Sequence, residues 1–155
     1  MKKLIPLIIL LIIVFLSSGQ TSEQQSIIPV LEKWLPNKPF ESILSMLHIP
    51  YWGIYVSIEE RGYYRFVEFL VRKGTHFFYF AIIALAIYTA LPKFKLRMVI
   101  AAIVTMLFAI ADEYHQSLTR GRVASFQDVM LDTAGAITAL LCLYCIQLMK
   151  QRNSA

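Results

Sequence analysis

"ADEYHQSLTRGRVASFQDVMLDTAG", Ala111 to Gly135, follows directly on Met98–Ile110, a stretch without a single charge. Within these two dozen residues stand Asp112, Glu113, His115, Arg120, Arg122, Asp128 and Asp132. A charge at the centre of a membrane helix costs roughly 2.5–3.5 kcal/mol on insertion scales, so such a run either caps the ends of spans or lines an interior that the spans share. Its position relative to a bilayer decides between the two.

The rest of the chain supplies that position. Its 155 residues make one domain by size, and 57% hydrophobic content exceeds what a soluble domain carries. Four apolar segments are candidates to cross a core needing ~20 residues: Leu4–Leu16, which is short, Thr75–Leu91 with an amphipathic lead-in from Tyr63, Leu96–Ala111, and Val129–Met149. Lys2 and Lys3, then Lys93, Lys95 and Arg97, then Lys150 and Arg152 all fall on one side of four spans, and no acid accompanies them. The positive-inside rule makes that side cytoplasmic, with both termini there, in a multi-pass protein of the cell membrane. The net charge of +5 then describes a basic inner rim, not a nucleic-acid footprint. Cys142 and Cys145, three apart in an apolar run, read as packing residues.

The expected fold is therefore all-α: a four-transmembrane-helix bundle with helices at about 4–18, 58–91, 96–117 and 126–150, and an extracytoplasmic loop region over 19–57. "MKK", an apolar run and "SSGQTS" also resemble a secretory signal peptide, whose cleavage would remove one span and leave the others in place. In the loop region Pro29, Pro36, Pro39 and Pro50 break any helix into short pieces. Phe40, Ile43, Leu44 and Leu47 recur at helical spacing, as a short interfacial helix would, with Trp34 as an anchor at the headgroups. "HIPYWGIYVS" is either a two-stranded ribbon around Gly53 or an aromatic loop resting on the surface. Ser57 and Glu60 form an S-x-x-E helix start.

With the third span ascending, "DEYHQ" emerges at the outer boundary; "SFQD" and "RKGTH" stand at the same depth on the two descending helices. Lys73 and His76 share a face, with Tyr79 one turn further in, and Asp112 shares one with His115 and Gln116. Asp128, Asp132, Gly135 and Ala139 form a line whose small members let another helix approach. Charges at span ends are often solvated caps, and a structural network locking the bundle through Lys73 or Arg122 is the main alternative to a site.

"RKGTHFFYF" (72–80) resembles the R-K-x-x-H-F signature of the VanZ-like membrane protein family, and "DEYHQSLTRGRVASFQDVMLDTAG" resembles its D-E-x-x-Q…G-R…S-x-x-D-(x)3-[ND]-x-x-G signature. "SSGQTSEQQS" is similar to the family's Ser/Gln-rich segment after the first helix, so the resemblance covers most of the chain from Leu4. Asp132 stands where namesake members have Asn, and Ala139 where many have Gly. The resemblance implies a multi-pass bacterial cytoplasmic-membrane protein, with some members associated with resistance to teicoplanin-type glycopeptides.

Two functions follow from the residues themselves. In the first, Lys73, Tyr79, His115, Gln116, Arg120, Arg122, Ser125 and Asp128 bind or remodel a phosphate-bearing membrane lipid or lipid-linked wall precursor at the outer leaflet, the arginines offering forks suited to phosphate. In the second, a membrane-embedded hydrolase or transferase, His76, Asp112, Glu113 and Asp132 form the catalytic set, with His76 or His115 as base and Asp112 or Asp132 orienting it. Clustered carboxylates and imidazoles suit Mg²⁺, Mn²⁺ or Zn²⁺, but no H-E-x-x-H or comparable ligand spacing is present, and no metal or cofactor is expected. A third class, a structural protein docking partners through its outer loop, would depend on Trp34 to Trp52 instead.

Overall fold

The computed structural model describes residues 4–51, 53–119 and 122–153. Three long helices, α5 (Tyr63–Ala90), α6 (Arg97–Ser117) and α7 (Phe126–Asn153), are each long and apolar enough to cross a membrane. They are preceded by α1 (Leu4–Ser18), by the short helices α2 (Ile28–Trp34), α3 (Glu41–Leu44) and α4 (Ile58–Arg61), and by strands β1 (Ile49–Tyr51) and β2 (Ile54–Val56). The fifteen residues of α1 span about 22 Å at 1.5 Å per residue, short of a ~30 Å hydrocarbon core.

Local sequence accounts for the breaks. Pro29 sits in the first turn of α2, where its missing N–H costs nothing. β1 and β2 pair antiparallel in the register Ile49↔Val56, Pro50↔Tyr55 and Tyr51↔Ile54, closing the ribbon on Gly53. Trp52 lies outside the described residues. Ser57 caps α4 by accepting from Glu60 N at 3.3 Å, so the S-x-x-E start operates. The helix expected over 58–91 is nonetheless divided: Gly62, at φ 78° and ψ 158°, occupies a region essentially closed to other residues and turns the chain between α4 and α5. α5 ends at Leu91, which precedes Pro92 and is extended as such residues prefer. Replacing Ser57 by Ala is expected to cost about 1 kcal/mol of thermal stability in detergent, the usual worth of such a cap.

The bundle core is made of Phe80, Ile83, Ala84 and Ile87 from α5, Ala101 and Ala109 from α6, and Ala136 and Leu140 from α7. α1 packs against it through Leu7, Leu10, Leu11 and Val14, and Tyr79 ties it on by donating to the Leu10 carbonyl at 3.0 Å. Large apolar side chains on the outer faces, such as Phe78, Leu107 and Leu141, stay exposed, an inversion that suits lipid as the solvent. The most extensive interface is between α5 and α7. It is closed at Gly135, where a Cβ would lie 2.9 Å from the Phe77 carbonyl carbon and nearer still to its oxygen.

At one end Tyr88 gathers the termini of three helices. Arg97 Nε donates to its carbonyl at 2.6 Å and the guanidinium lies over its ring, while Gln147 donates to its hydroxyl at 3.1 Å. Lys93, Lys95, Arg97, Lys150 and Arg152 therefore share this end; Lys2 and Lys3 lie outside the described residues. The loop region and the polar cluster occupy the other end.

Candidate functional site

Two polar clusters sit side by side at the loop end, and both draw on several helices. In the first, Lys73 of α5 reaches Asp128 of α7, with Nζ 2.5 Å from Oδ1. Tyr51 of the ribbon completes it: its hydroxyl accepts from Lys73 at 2.8 Å, donates to Asp128 Oδ2 at 2.7 Å and lies 3.1 Å from Ser125 Oγ. Burial raises the Tyr51 phenol above its ordinary pKa, and Asp128 adds to the effect, so the donor is retained. Lys73 also stands 4.6 Å from the Tyr51 ring centroid and 5.5 Å from that of Phe69. Glu113, buried on α6, accepts from Ser125 N at 2.5 Å and so fixes the start of α7.

The second cluster lies deeper. His76 of α5 places Nδ1 3.5 Å from Asp132 Oδ2 on α7. Asp112 of α6 joins them: each of the three residues offers one ligand atom, and these atoms lie within 4.8 Å of one another. Asp112 is oriented from outside, by Ser18 of α1, whose hydroxyl donates to Oδ1, and by Gln116, which donates to Oδ2 at 2.7 Å. Gln116 in turn accepts from Arg122 at 2.8 Å, and Arg122 also donates to Gln25. Asp132 is 1% exposed, and its Oδ1 has no hydrogen-bond partner among the described residues. Such a trio of one imidazole and two carboxylates can share protons or hold a divalent cation.

A cavity of about 570 Å³ opens above the clusters. Its wall carries five cations, Arg61, Arg65, Arg72, Lys73 and Arg122, against the acids Glu60 and Glu68. Glu68 is already engaged, accepting from Arg72 at 3.3 Å and from Ile27 N at 2.8 Å. The Nε atoms of Arg72 and Arg122 are buried and unpartnered among the described residues. Burial, and after it the neighbouring Arg72, push the Arg122 guanidinium below its ordinary pKa. An anion there would relieve both effects. A second cavity of the same volume runs between α1 and α6, lined by apolar side chains such as Ile8, Leu11, Phe15 and Phe108, with Asp112 and His115 on its wall.

The residues singled out from the sequence divide accordingly. His76, Asp112 and Asp132 converge, as do Lys73, Ser125 and Asp128, while Gln116 and Arg122 link the trio to the cavity. Tyr79 faces α1. His115 turns away from the trio and stacks on Phe15, with centroids 4.3 Å apart and planes 3° apart. Arg120 lies outside the described residues. Sequence reasoning missed Tyr51, Ser18, Gln25, Arg61, Arg65 and Arg72. Only the Ser/Gln-rich run after α1 and the arginine beside Lys73 gave a signal, and neither was assigned a role.

Comparison with curated proteins and with solved structures finds no match for this chain. The sequence model of one family does match, over residues 3–148, nearly the whole chain and both signatures that build the clusters. The chain belongs to the VanZ/LLP1 family and is a VanZ-like membrane protein.

Proposed function

We propose that the protein binds the phosphate-bearing head group of a membrane lipid or lipid-linked wall precursor in the cavity at its loop end. In this reading α1 is a fourth span, both termini are cytoplasmic and the cavity opens at the outer leaflet. Lys93, Lys95 and Arg97 on the opposite end support that orientation. The observation that carries the proposal is the charge of the cavity wall, where Arg61, Arg65, Arg72, Lys73 and Arg122 face only Glu60 and Glu68. Like charges gathered on one wall repel, and a phosphate supplies both the counter-charge and the paired oxygens that guanidinium forks fit. The apolar trough between α1 and α6 suits an acyl or prenyl chain, and the Ser18 hydroxyl, donating to Asp112, supports reading α1 as part of the site. Altered presentation of a wall precursor is a route by which such a protein would contribute to glycopeptide resistance. A second reading, a hydrolase or transferase acting on the same lipid, is favoured by the His76–Asp132 pair at 3.5 Å.

Arg61 and Arg65 are exposed and pair with no carboxylate among the described residues, so they can be changed without breaking the fold. The double variant Arg61→Ala/Arg65→Ala is expected to lose at least about tenfold in affinity for vesicles containing an anionic phospholipid, as ~1 kcal/mol per basic residue near such a surface implies. Flotation at fixed salt measures this, with mass spectrometry of co-purifying lipids alongside. Equal flotation and an unchanged lipid complement would overturn the binding reading, and a changed lipid with retained binding would favour the enzyme. If Trp34 and Trp52 variants alone affected function, partner docking would replace both.

A further inference from the structure

We infer that His76, Asp112 and Asp132 form a binding site for one divalent first-row cation, Mn²⁺ or Zn²⁺. Three donors from three helices lie within 4.8 Å of one another, against the ~3.4 Å between donors of a tetrahedral cation site with bonds of ~2.1 Å, and His76 Nδ1 already stands 3.5 Å from Asp132 Oδ2. A side-chain shift of roughly an ångström by Asp112 brings the three onto one ion. Two of the three are nine-tenths or more buried, Asp112 at 7% and Asp132 at 1% exposure. Among the described residues neither carboxylate pairs with a lysine or arginine, since Lys73 is engaged by Asp128. Two carboxyl groups so close in a low-dielectric interior are both charged only beside a compensating cation, which a divalent ion supplies.

A second observation points the same way. Asp132 Oδ1 is a buried acceptor with no donor among the described residues, and a bare carboxyl oxygen of this kind costs free energy that a metal bond returns. Asp112 has the outer support typical of a ligand: Ser18 and Gln116 hold its two oxygens and fix its direction. One imidazole with two carboxylates and no thiolate selects Mn²⁺ or Zn²⁺ over softer ions. Three protein donors leave coordination positions open, and the His76 side chain, 34% exposed, lies on the accessible side. The site does not depend on the lipid reading, because it is assayed with no lipid added.

The test uses tag-free full-length protein in detergent, treated with chelator, reloaded with Mn²⁺ or Zn²⁺, gel-filtered and assayed for bound metal by mass spectrometry. Wild type is expected to retain about one cation per chain, the capacity of a single three-donor site. Asp132→Asn and His76→Ala are each expected to weaken retention at least about tenfold, the minimum seen when merely a hydrogen-bond partner of a ligand is removed. His48→Ala, which alters an exposed histidine beside Glu59, leaves it unchanged. Wild type that holds no stoichiometric metal, or Asp132→Asn that loads like wild type, overturns the inference. If the variants fail to fold, pulsed EPR of Mn²⁺-loaded wild type decides the matter: coupling to one imidazole nitrogen is expected, and its absence overturns the site.

Discussion

Gly135→Ala destabilises the bundle by about 3 kcal/mol, the upper end of the usual range for overpacking, and Gly135→Val leaves no monodisperse protein in fluorescence-detected gel filtration. A Cβ at this position meets the Phe77 carbonyl carbon at 2.9 Å and its oxygen closer still. The obstructing atoms belong to the backbone of α5, so no side-chain rotation clears them, and α7 must move as a body. In lipid the hydrophobic effect does not drive helices together, so the close approach of small residues is a principal source of cohesion at this interface. Asp132 lies one turn before Gly135, so the same displacement draws it away from His76 and weakens metal retention in proportion. Gly74, one turn from Phe77 on α5, is the internal control: nothing lies within 4 Å of its built Cβ. Gly74→Ala is expected to be neutral or to stabilise by up to ~1 kcal/mol through helix propensity. Equal melting temperatures for Gly135→Ala and Gly74→Ala would show that the α5–α7 approach does not limit stability.

Much of this architecture was legible because it rests on features that act locally. The apolar runs located α5, α6 and α7, the S-x-x-E pair located the start of α4, and Gly53 located the turn of the ribbon. The division at Gly62 was not legible: the hydrophobic pattern continues across it, and only the backbone angle distinguishes a turn from a helix interior. The site divides in the same way. Positions three and four apart fixed which polar residues share a face but left open whether His76 or His115 meets Asp112 or Asp132; the structure sets His76 beside Asp132. The assembly of the trio was invisible to any search for ligand spacing, because its members come from α5, α6 and α7 with 35 residues between the first two. His115 shares its helix face with Asp112, yet the arrival of α1 offers it the Phe15 ring and takes it to the apolar side. Tyr51 ends a strand of the ribbon and Ser18 ends α1, and no periodicity says which element either packs against, so their contacts are consequences of tertiary packing alone.

Lys73→Met is expected to destabilise the protein by about 3 kcal/mol, the low end of the range for breaking a buried ion pair, since Lys73 and Asp128 keep 25% and 16% of side-chain exposure. The variant leaves Asp128 with the Tyr51 hydroxyl as its principal support and removes the cation from the faces of Tyr51 and Phe69. Because Tyr51 belongs to the ribbon, the loss is also expected to loosen residues 49–56 from the helices, seen as faster amide exchange there than in the core of α5. Adding Asp128→Asn to Lys73→Met removes the unpaired charge and returns most of the lost stability, because neutralising both members of a buried pair costs far less than stripping one. The double-mutant cycle therefore separates two roles for this cluster. A large coupling energy with lipid binding intact makes Lys73–Asp128 a lock that fixes the ribbon over the cavity. Additive effects, with anionic-lipid binding lost in Lys73→Met, make Lys73 a direct ligand of the head group and its bond to Asp128 a resting partner displaced by phosphate.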